Sequence, residues 1–479
     1  MTELCELSAI EARRRIGTKD ISPVELLESC IDRIEAVNGT VNAVVAWDYE
    51  RARIEAKQAE GDVMSGADIG PLHGLPIGIK DLEVTEGITT TWGSLLYKDN
   101  VPDEDQRAVA EIRYAGGIVF AKTNTPEFGA GANTTNRVYG ATGNPFDPVL
   151  TCGGSSGGSA VALATGMVPL ASGSDYGGSL RIPAGFCGVV GFRPSPGVVP
   201  SETRAVGLNP YSVLGPMGRT VADAALMLGI IADNDPRDPF SREFDPALLD
   251  PLPDVDLSML RVAVSTDLGV APVDNGIRET FKNRVDSFRH IFANAEDRDP
   301  GFDEDLHESF EIIRATNFVA QHRKRLETQR DLLGPNVIDN TERGMKYSAA
   351  DVAWANVEQT RYYRNFLALM GEVDILISPT NGISPFPHEQ LYMDEINGEK
   401  MPTYMRWLAP CYALTMATPA ACSVPCGVDH KGMPFGLQIS GPNGSDRFVL
   451  AVAHALERVL AGNPETARPV PDLNALRTS

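Results

Sequence analysis

Apolar residues near the start of the chain recur at helical spacing. In "ISPVELLESCIDRIEAVN" the stripe of Val24, Leu27, Cys30, Ile31 and Ile34 predicts an amphipathic helix. Its start is marked, because Ser22 is placed to cap, Pro23 suits the first helical position and Glu25 completes a capping box. A second helix is predicted over residues 49–60, followed by a Gly-rich loop over 61–74. The period then changes. "LPIGIKD" reads as a short strand that delivers Lys80 and Asp81 at its end, residues 105–114 as a helix closed by Gly116, and "GIVFAKTN" as the next strand. Residues 157–164 predict a close-packed helix of small side chains, and "VADAALMLGIIA" a helix beginning beyond Thr220. "RVAVS", "DILIS" and "FGLQIS" read as strands, and Ser445 is placed to cap a last helix carrying Phe448, Val452, Leu456 and Val459. Strands alternating with helices predict an α/β architecture.

Composition narrows the function classes. A chain of 479 residues with 43% hydrophobic residues, 45 Gly and 34 Pro has the make-up of a folded enzyme and not of a disordered segment. Its 64 acidic residues against 42 basic ones give a net charge of -22, a field that repels a phosphate backbone, so no nucleic-acid partner is expected. The seven cysteines are odd in number and scattered, which points to a reduced compartment. Only Cys422 and Cys426 are close, with no histidines at zinc spacing, so no metal is expected. The N-terminus turns polar before a secretory apolar region forms, and no run reaches the roughly 18 apolar residues of a membrane span. A soluble, cytoplasmic protein without membrane contact is therefore expected. No repeat is visible, the Pro-rich "DPALLDPLPDVD" reads as a connector, and a single domain over 1–479 is expected, with a helical N-terminal region over 1–70. Homodimerisation through the N-terminal helices is compatible with the pattern, since amphipathicity does not separate a dimer surface from a core-facing stripe.

Two glycine-bounded serine loops, "GGSSGGSA" from Gly153 and "GGSLRIPA" from Gly177, lie close together. Glycine is costly to order and is used where the backbone takes positive φ or approaches another group closely, although a flexible linker looks similar locally. A phosphate-binding P-loop would need a lysine followed by Ser or Thr after the last glycine, and the loop holds none. The Gly-x-Ser-x-Gly elbow of serine hydrolases is not matched by Ser155 or Ser179, and none of the seven histidines is marked locally as a partner.

Taken in order, "GLPIGIKD", "GGSSGGSA" and "GSDYGGSLRIPAGFCGVVGFRP" resemble the amidase signature family of Ser-Ser-Lys amidohydrolases. The signature core spans about 72–200, and "DILISPT" and "GMPFGLQISGP" extend the likeness, more weakly over 235–373. The resemblance implies an α/β fold with a mixed central β-sheet flanked by α-helices on both faces. It matches Lys80 to the catalytic lysine, Ser155 to the serine of a cis peptide, and Ser179 to the nucleophile. It also implies an oxyanion hole built from the backbone N–H groups of Tyr176, Gly177, Gly178 and Ser179, with bare glycines leaving room for the oxyanion. Asp175 and Arg181 are expected to hold the loop, and Asp81 to organise the site. Cys152 and Tyr176 depart from the family habit, which favours proline at the first position and a smaller or aliphatic residue at the second.

The chemistry gives these residue types a reason. A serine hydroxyl attacks well only when a base takes its proton, and a lysine does so only when neutral. From an ordinary pKa near 10.4, a fall to about 7.5 requires roughly 4 kcal/mol of differential environment, within reach of burial. Neutral Lys80 would then accept a proton from Ser155 as Ser155 accepts one from Ser179. The expected reaction is hydrolysis of a small amide to a carboxylate and ammonia or amine, with no cofactor. Tyr176, with Tyr404, Trp407 and Tyr412 in the candidate pocket walls over 380–392 and 403–418, would favour an apolar or aryl group. Two alternatives stand beside this reading. One is the glutamine-hydrolysing subunit of a transfer-RNA-dependent amidotransferase, against which Ile182 stands where those subunits carry glutamine. The other is a non-catalytic ligand-binding protein on the same fold.

Overall fold

The computed structural model describes residues 3–249 and 251–477. Eleven strands form one mixed sheet: β1 (Val44–Trp47), β2 (Pro76–Lys80), β3 (Ile118–Thr123), β4 (Leu170–Asp175), β5 (Val190–Arg193), β6 (Val213–Gly218), β7 (Arg261–Val264), β8 (Asn294–Asp297), β9 (Ile375–Pro379), β10 (Ala420–Val428) and β11 (Pro434–Gly441). Their order across the sheet is β1-β3-β2-β4-β6-β5-β10-β11-β9-β7-β8. The pairs β2–β3, β2–β4, β9–β7 and β7–β8 are parallel and the rest antiparallel. Helices flank the sheet, as the α/β expectation requires.

The first predicted helix forms as Pro23–Val41, and its capping box is complete, with Ser22 accepting from the Val24 amide and Glu25 from the Ser22 amide. Leu27, Cys30, Ile31 and Ile34 are all buried within the one chain. The stripe therefore faces this chain's own core, which removes it as a ground for a dimer surface. The next helix runs past its expected end to Tyr49–Ser65 and stops where Gly66 takes φ 77°. Ser445 precedes the last helix, Asp446–Ala461, without capping it, and its hydroxyl donates to the Pro442 carbonyl at 2.6 Å.

Strands β4 and β6 carry little hydrophobic periodicity, reading "LASGSD" and "VLGPMG". Both are almost wholly buried, and they pair with each other from Leu170–Gly218 to Asp175–Val213. Small residues suit them because neighbouring elements press on the sheet from both sides. A Cβ on Gly173 would stand 2.6 Å from Leu180 and one on Gly215 2.5 Å from the Phe192 carbonyl. Parallel pairing of β2 with β4 brings the carboxyl ends of Pro76–Lys80 and Leu170–Asp175 to the same edge, which sets up the site.

Candidate active site

Strand β2 ends on Lys80, which is fully buried. Its ammonium nitrogen lies 2.7 Å from the Ser155 hydroxyl, 2.9 Å from that of Ser156 and 2.9 Å from that of Ser174. The first two come from the glycine loop ahead of the helix Gly157–Ala164, the third from β4. The Gly154–Ser155 peptide is cis, the feature that the resemblance attaches to this serine. The two loops are tied together by the Ser156 amide, which donates to the Ser179 carbonyl at 3.2 Å. Gly158 permits the packing, since a Cβ there would sit 2.2 Å from the Asn124 amide nitrogen.

Burial pulls the Lys80 pKa down to about 7, against the opposing pull of Glu83 and Asp175. Glu83, three residues on, is pushed up to about 7 by its own burial and accepts from the Ser172 hydroxyl at 2.6 Å. Lys122, lowered to about 8 by burial, donates to the Glu83 carbonyl and to Thr85 Oγ1. Asp81 accepts from the Thr91 amide at 3.0 Å and from its hydroxyl. Burial raises the Asp81 carboxyl, and Lys122 and Thr91 counter that rise. Asp81 thus ties the turn after Lys80 to Thr91. Sequence reasoning missed Ser156, Ser174, Glu83 and Lys122. Ser156 was visible as a second serine in the first glycine loop, Ser174 as a serine three residues ahead of the second, and Glu83 as an acid close behind the lysine.

Ser179 opens the turn into the short helix Arg181–Cys187. Asp175, fully buried, is the anchor of that turn. Its carboxylate accepts from the Gly178 amide at 2.9 Å, the Leu180 amide at 3.2 Å, and Arg181 through two bonds of 3.0 Å. Arg193 reaches the same carboxylate at 3.1 Å. Burial alone would raise the Asp175 carboxyl, but the two guanidiniums outweigh it and hold the group well below the usual carboxylate range. Arg181 also donates to the Cys411 carbonyl, Gln438 and Thr415, so it pins the turn to the helix Ala409–Thr415 and to β11. Breaking such a buried cluster on one side leaves charge without a partner. Asp175→Asn is expected to cost about 3–5 kcal/mol of stability. Denaturant unfolding measures it, and a loss under about 1 kcal/mol, the size of an exposed pair, would show that the anchor is not needed.

Two expectations change here. The Gly178 amide is spent on Asp175, leaving those of Tyr176, Gly177 and Ser179 as candidate oxyanion donors. Gly178 is required for a different reason: its φ is 121°, and a Cβ there would stand 2.5 Å from that of Cys411. The aromatic wall also differs. Ser155, Ser174, Tyr176 and Ser179 line a cavity of about 420 Å³, whose aromatic side is Trp92, Tyr97, Phe128 and Phe318. Tyr404, Trp407 and Tyr412 are not part of its lining. They pack in the core behind it, Tyr412 stacked on Phe310 at 4.3 Å, Trp407 on Phe186 at 6.3 Å, and Tyr404 held through its hydroxyl by Arg314 and Asn340. Tyr176 both lines the cavity and packs, edge-on to Tyr211 and bonded by Asn317 at 2.8 Å. Cys152 is buried, and burial pushes its thiol up to about 12. Among the described residues no group of three His, Cys, Asp or Glu is placed to hold a metal ion, and no helix is long and apolar enough to cross a membrane.

Comparison with known proteins shows the family. The chain is 34% identical over 455 residues to an acylamidase of Rhodococcus erythropolis, covering 95% of each. It is 31% identical over 504 residues to one of the subunits of the glutamyl-tRNA(Gln) amidotransferase of Chloroflexus aurantiacus, with 98% of this chain and 100% of that one covered. Among solved structures, a bacterial aryl acylamidase described as belonging to the amidase signature enzymes superposes with a TM-score of 0.88 at 29% identity, over 96% of this chain and 99% of that one. The sequence profile of the family Amidase matches residues 25–450. A lysine at a strand end, bonded to a cis serine of a glycine loop, thus sits in a chain that matches this profile over most of its length: it belongs to the amidase signature family, whose members are hydrolases of amide bonds.

Proposed function

We propose that this protein hydrolyses the carboxamide bond of small amides bearing an apolar or aromatic group, through an acyl-enzyme on Ser179. The observation that carries the reading is the buried Lys80 amine, 2.7 Å from Ser155 and with its pKa drawn to about 7, beside a cavity lined by both Ser155 and Ser179. A neutral amine donates two hydrogens and accepts one, so one of its three hydroxyl partners must donate to it. Ser156 turns its own proton toward the Ser174 carbonyl at 3.4 Å. Of the other two, Ser155 is the nearer at 2.7 Å and is the serine that the resemblance sets between lysine and nucleophile, so in this reading it passes a proton to Lys80 while taking one from Ser179. Ser179 attacks the carbonyl carbon, and the amides of Tyr176, Gly177 and Ser179 hold the oxyanion. Ser155 returns the proton to the departing nitrogen, the C–N bond breaks, and water cleaves the ester by the reverse relay.

The aromatic side of the cavity supports an aryl or apolar substrate, in keeping with the acylamidase and aryl acylamidase relatives. The test is a panel of anilides, aromatic primary amides and aliphatic amides given to the purified chain alone, without ATP. At least one member is expected to release amine or ammonia, and a slow-turnover substrate to add one acyl mass that peptide mapping puts on Ser179. Turnover that appears only with added partner subunits would favour the amidotransferase reading. Ligand binding with no acylation at all would favour a non-catalytic protein.

A further inference from the structure

The cavity has the opposite charge to the molecule. The chain carries a net charge of -22, yet the cavity lining holds Arg204, Arg314 and Arg325 and, among the described residues, no Asp or Glu. Arg204 is already paired, with Asp238 at 3.1 Å. Arg314 has no such acid against it among the described residues. It is 5% exposed, its Nη2 donates to the Tyr404 hydroxyl at 2.9 Å, and its Nε is buried without a partner. The acid nearest to it in sequence, Glu311, is engaged by Arg343 at 3.2 Å and Thr403 at 2.6 Å. Aromatic faces surround the guanidinium, with Phe318 4.8 Å and Tyr176 5.5 Å from its carbon. Such faces attract a cation but leave its charge and its hydrogens unmatched. Arg314 and the candidate nucleophile Ser179 line the same cavity of about 420 Å³. A buried cation without a counter-ion is costly, and a bound anion removes that cost.

We infer that Arg314 recognises a carboxylate carried by the substrate away from its scissile amide, with the half-exposed Arg325 adding to the attraction. This deepens the amide-hydrolase reading and rests on it: the substrate class becomes amides whose apolar or aromatic body ends in an anionic group. A planar guanidinium with free hydrogens fits a carboxylate better than it fits a neutral carbonyl.

The test uses matched pairs on the whole protein. On the acyl side, 4-carbamoylbenzoate is compared with benzene-1,4-dicarboxamide and glutaramate with pentanediamide; on the amine side, 4-acetamidobenzoate with 4-acetamidobenzamide. In at least one pair the carboxylate is expected to show a kcat/KM about 30-fold or more above its neutral partner. Arg314→Gln should bring that ratio to within about 3-fold of unity, and Arg314→Lys should restore part of it. A neutral partner that does as well in every pair, or a ratio that Arg314→Gln leaves in place, overturns the inference. Should Arg314→Gln not fold, the wild-type ratios decide alone. If no pair is turned over, the amide-hydrolase reading is what fails, and calorimetric titration of Ser179→Ala separates the two. Saturable binding of 4-carbamoylbenzoate but not of the diamide keeps the carboxylate site, and equal or absent binding of both removes it.

Discussion

Replacing Ser179 by alanine is expected to lower kcat/KM on an unactivated amide by on the order of 10⁴ while leaving the protein folded. The side chain sits at a turn whose shape is set by the backbone bonds and guanidiniums around Asp175, so the hydroxyl can be removed without disturbing that anchor. What is lost is the atom that attacks, and the remaining amides can only polarise the carbonyl for water. Ser155→Ala should cost less, about 10²–10³, a span typical of a positioned proton-transfer group. Lys80 keeps Ser156 and Ser174 as partners in that variant, so the lysine stays in place while the relay is broken at both acylation and leaving-group departure. Rates of the two variants, with folding followed separately by thermal unfolding, check both numbers. Wild-type turnover by Ser155→Ala would remove the shuttle. An adduct mapped to Ser155 or Cys152, with turnover surviving the loss of Ser179, would overturn the nucleophile, and the buried, proton-holding thiol of Cys152 argues against the second of these.

The parts of the fold that sequence predicts well are those whose own residues show a period or a cap. The helix after Ser22 and the strands ending at Lys80 and Thr123 are of this kind. Strands β4 and β6 are not, because their residues are chosen for closeness to neighbours and not for alternation. The catalytic candidates were legible because glycine-serine loops and a lysine at a strand end are local signals. Their supporting hydroxyls were in view but unmarked: that Ser156 and Ser174 converge on Lys80 depends on β2 lying beside β4, a pairing set by tertiary contacts. The same holds for the pocket. Tyr404, Trp407 and Tyr412 satisfy any pattern for an aromatic wall, and only packing shows that they lie behind it. Arg314 offers no signal at all within "EIIRATNF", since what distinguishes it is the set of side chains that the fold packs around it.

The second large effect belongs to Lys80. If it works as the base, it must be neutral, so activity should fall as pH falls through its pKa and reach a plateau above it. The acid limb of kcat/KM is therefore expected near pH 7, where burial has drawn the group, and far below the ordinary lysine range near 10.4. Lys80→Met should lose at least about 10³ in kcat/KM and, with the titrating base gone, the limb itself. A second variant separates this lysine from other groups that titrate near neutrality. The Glu83 carboxylate favours the charged form of Lys80, so removing that charge in Glu83→Gln should move the midpoint to lower pH. Were the limb due to a carboxylate that must be ionised, Glu83 itself being raised to about 7, Glu83→Gln would abolish the limb and not displace it. A displaced midpoint in Glu83→Gln, together with a flat, depressed profile in Lys80→Met, is what a neutral-lysine relay requires. A limb that persists unchanged in Lys80→Met would put the base elsewhere.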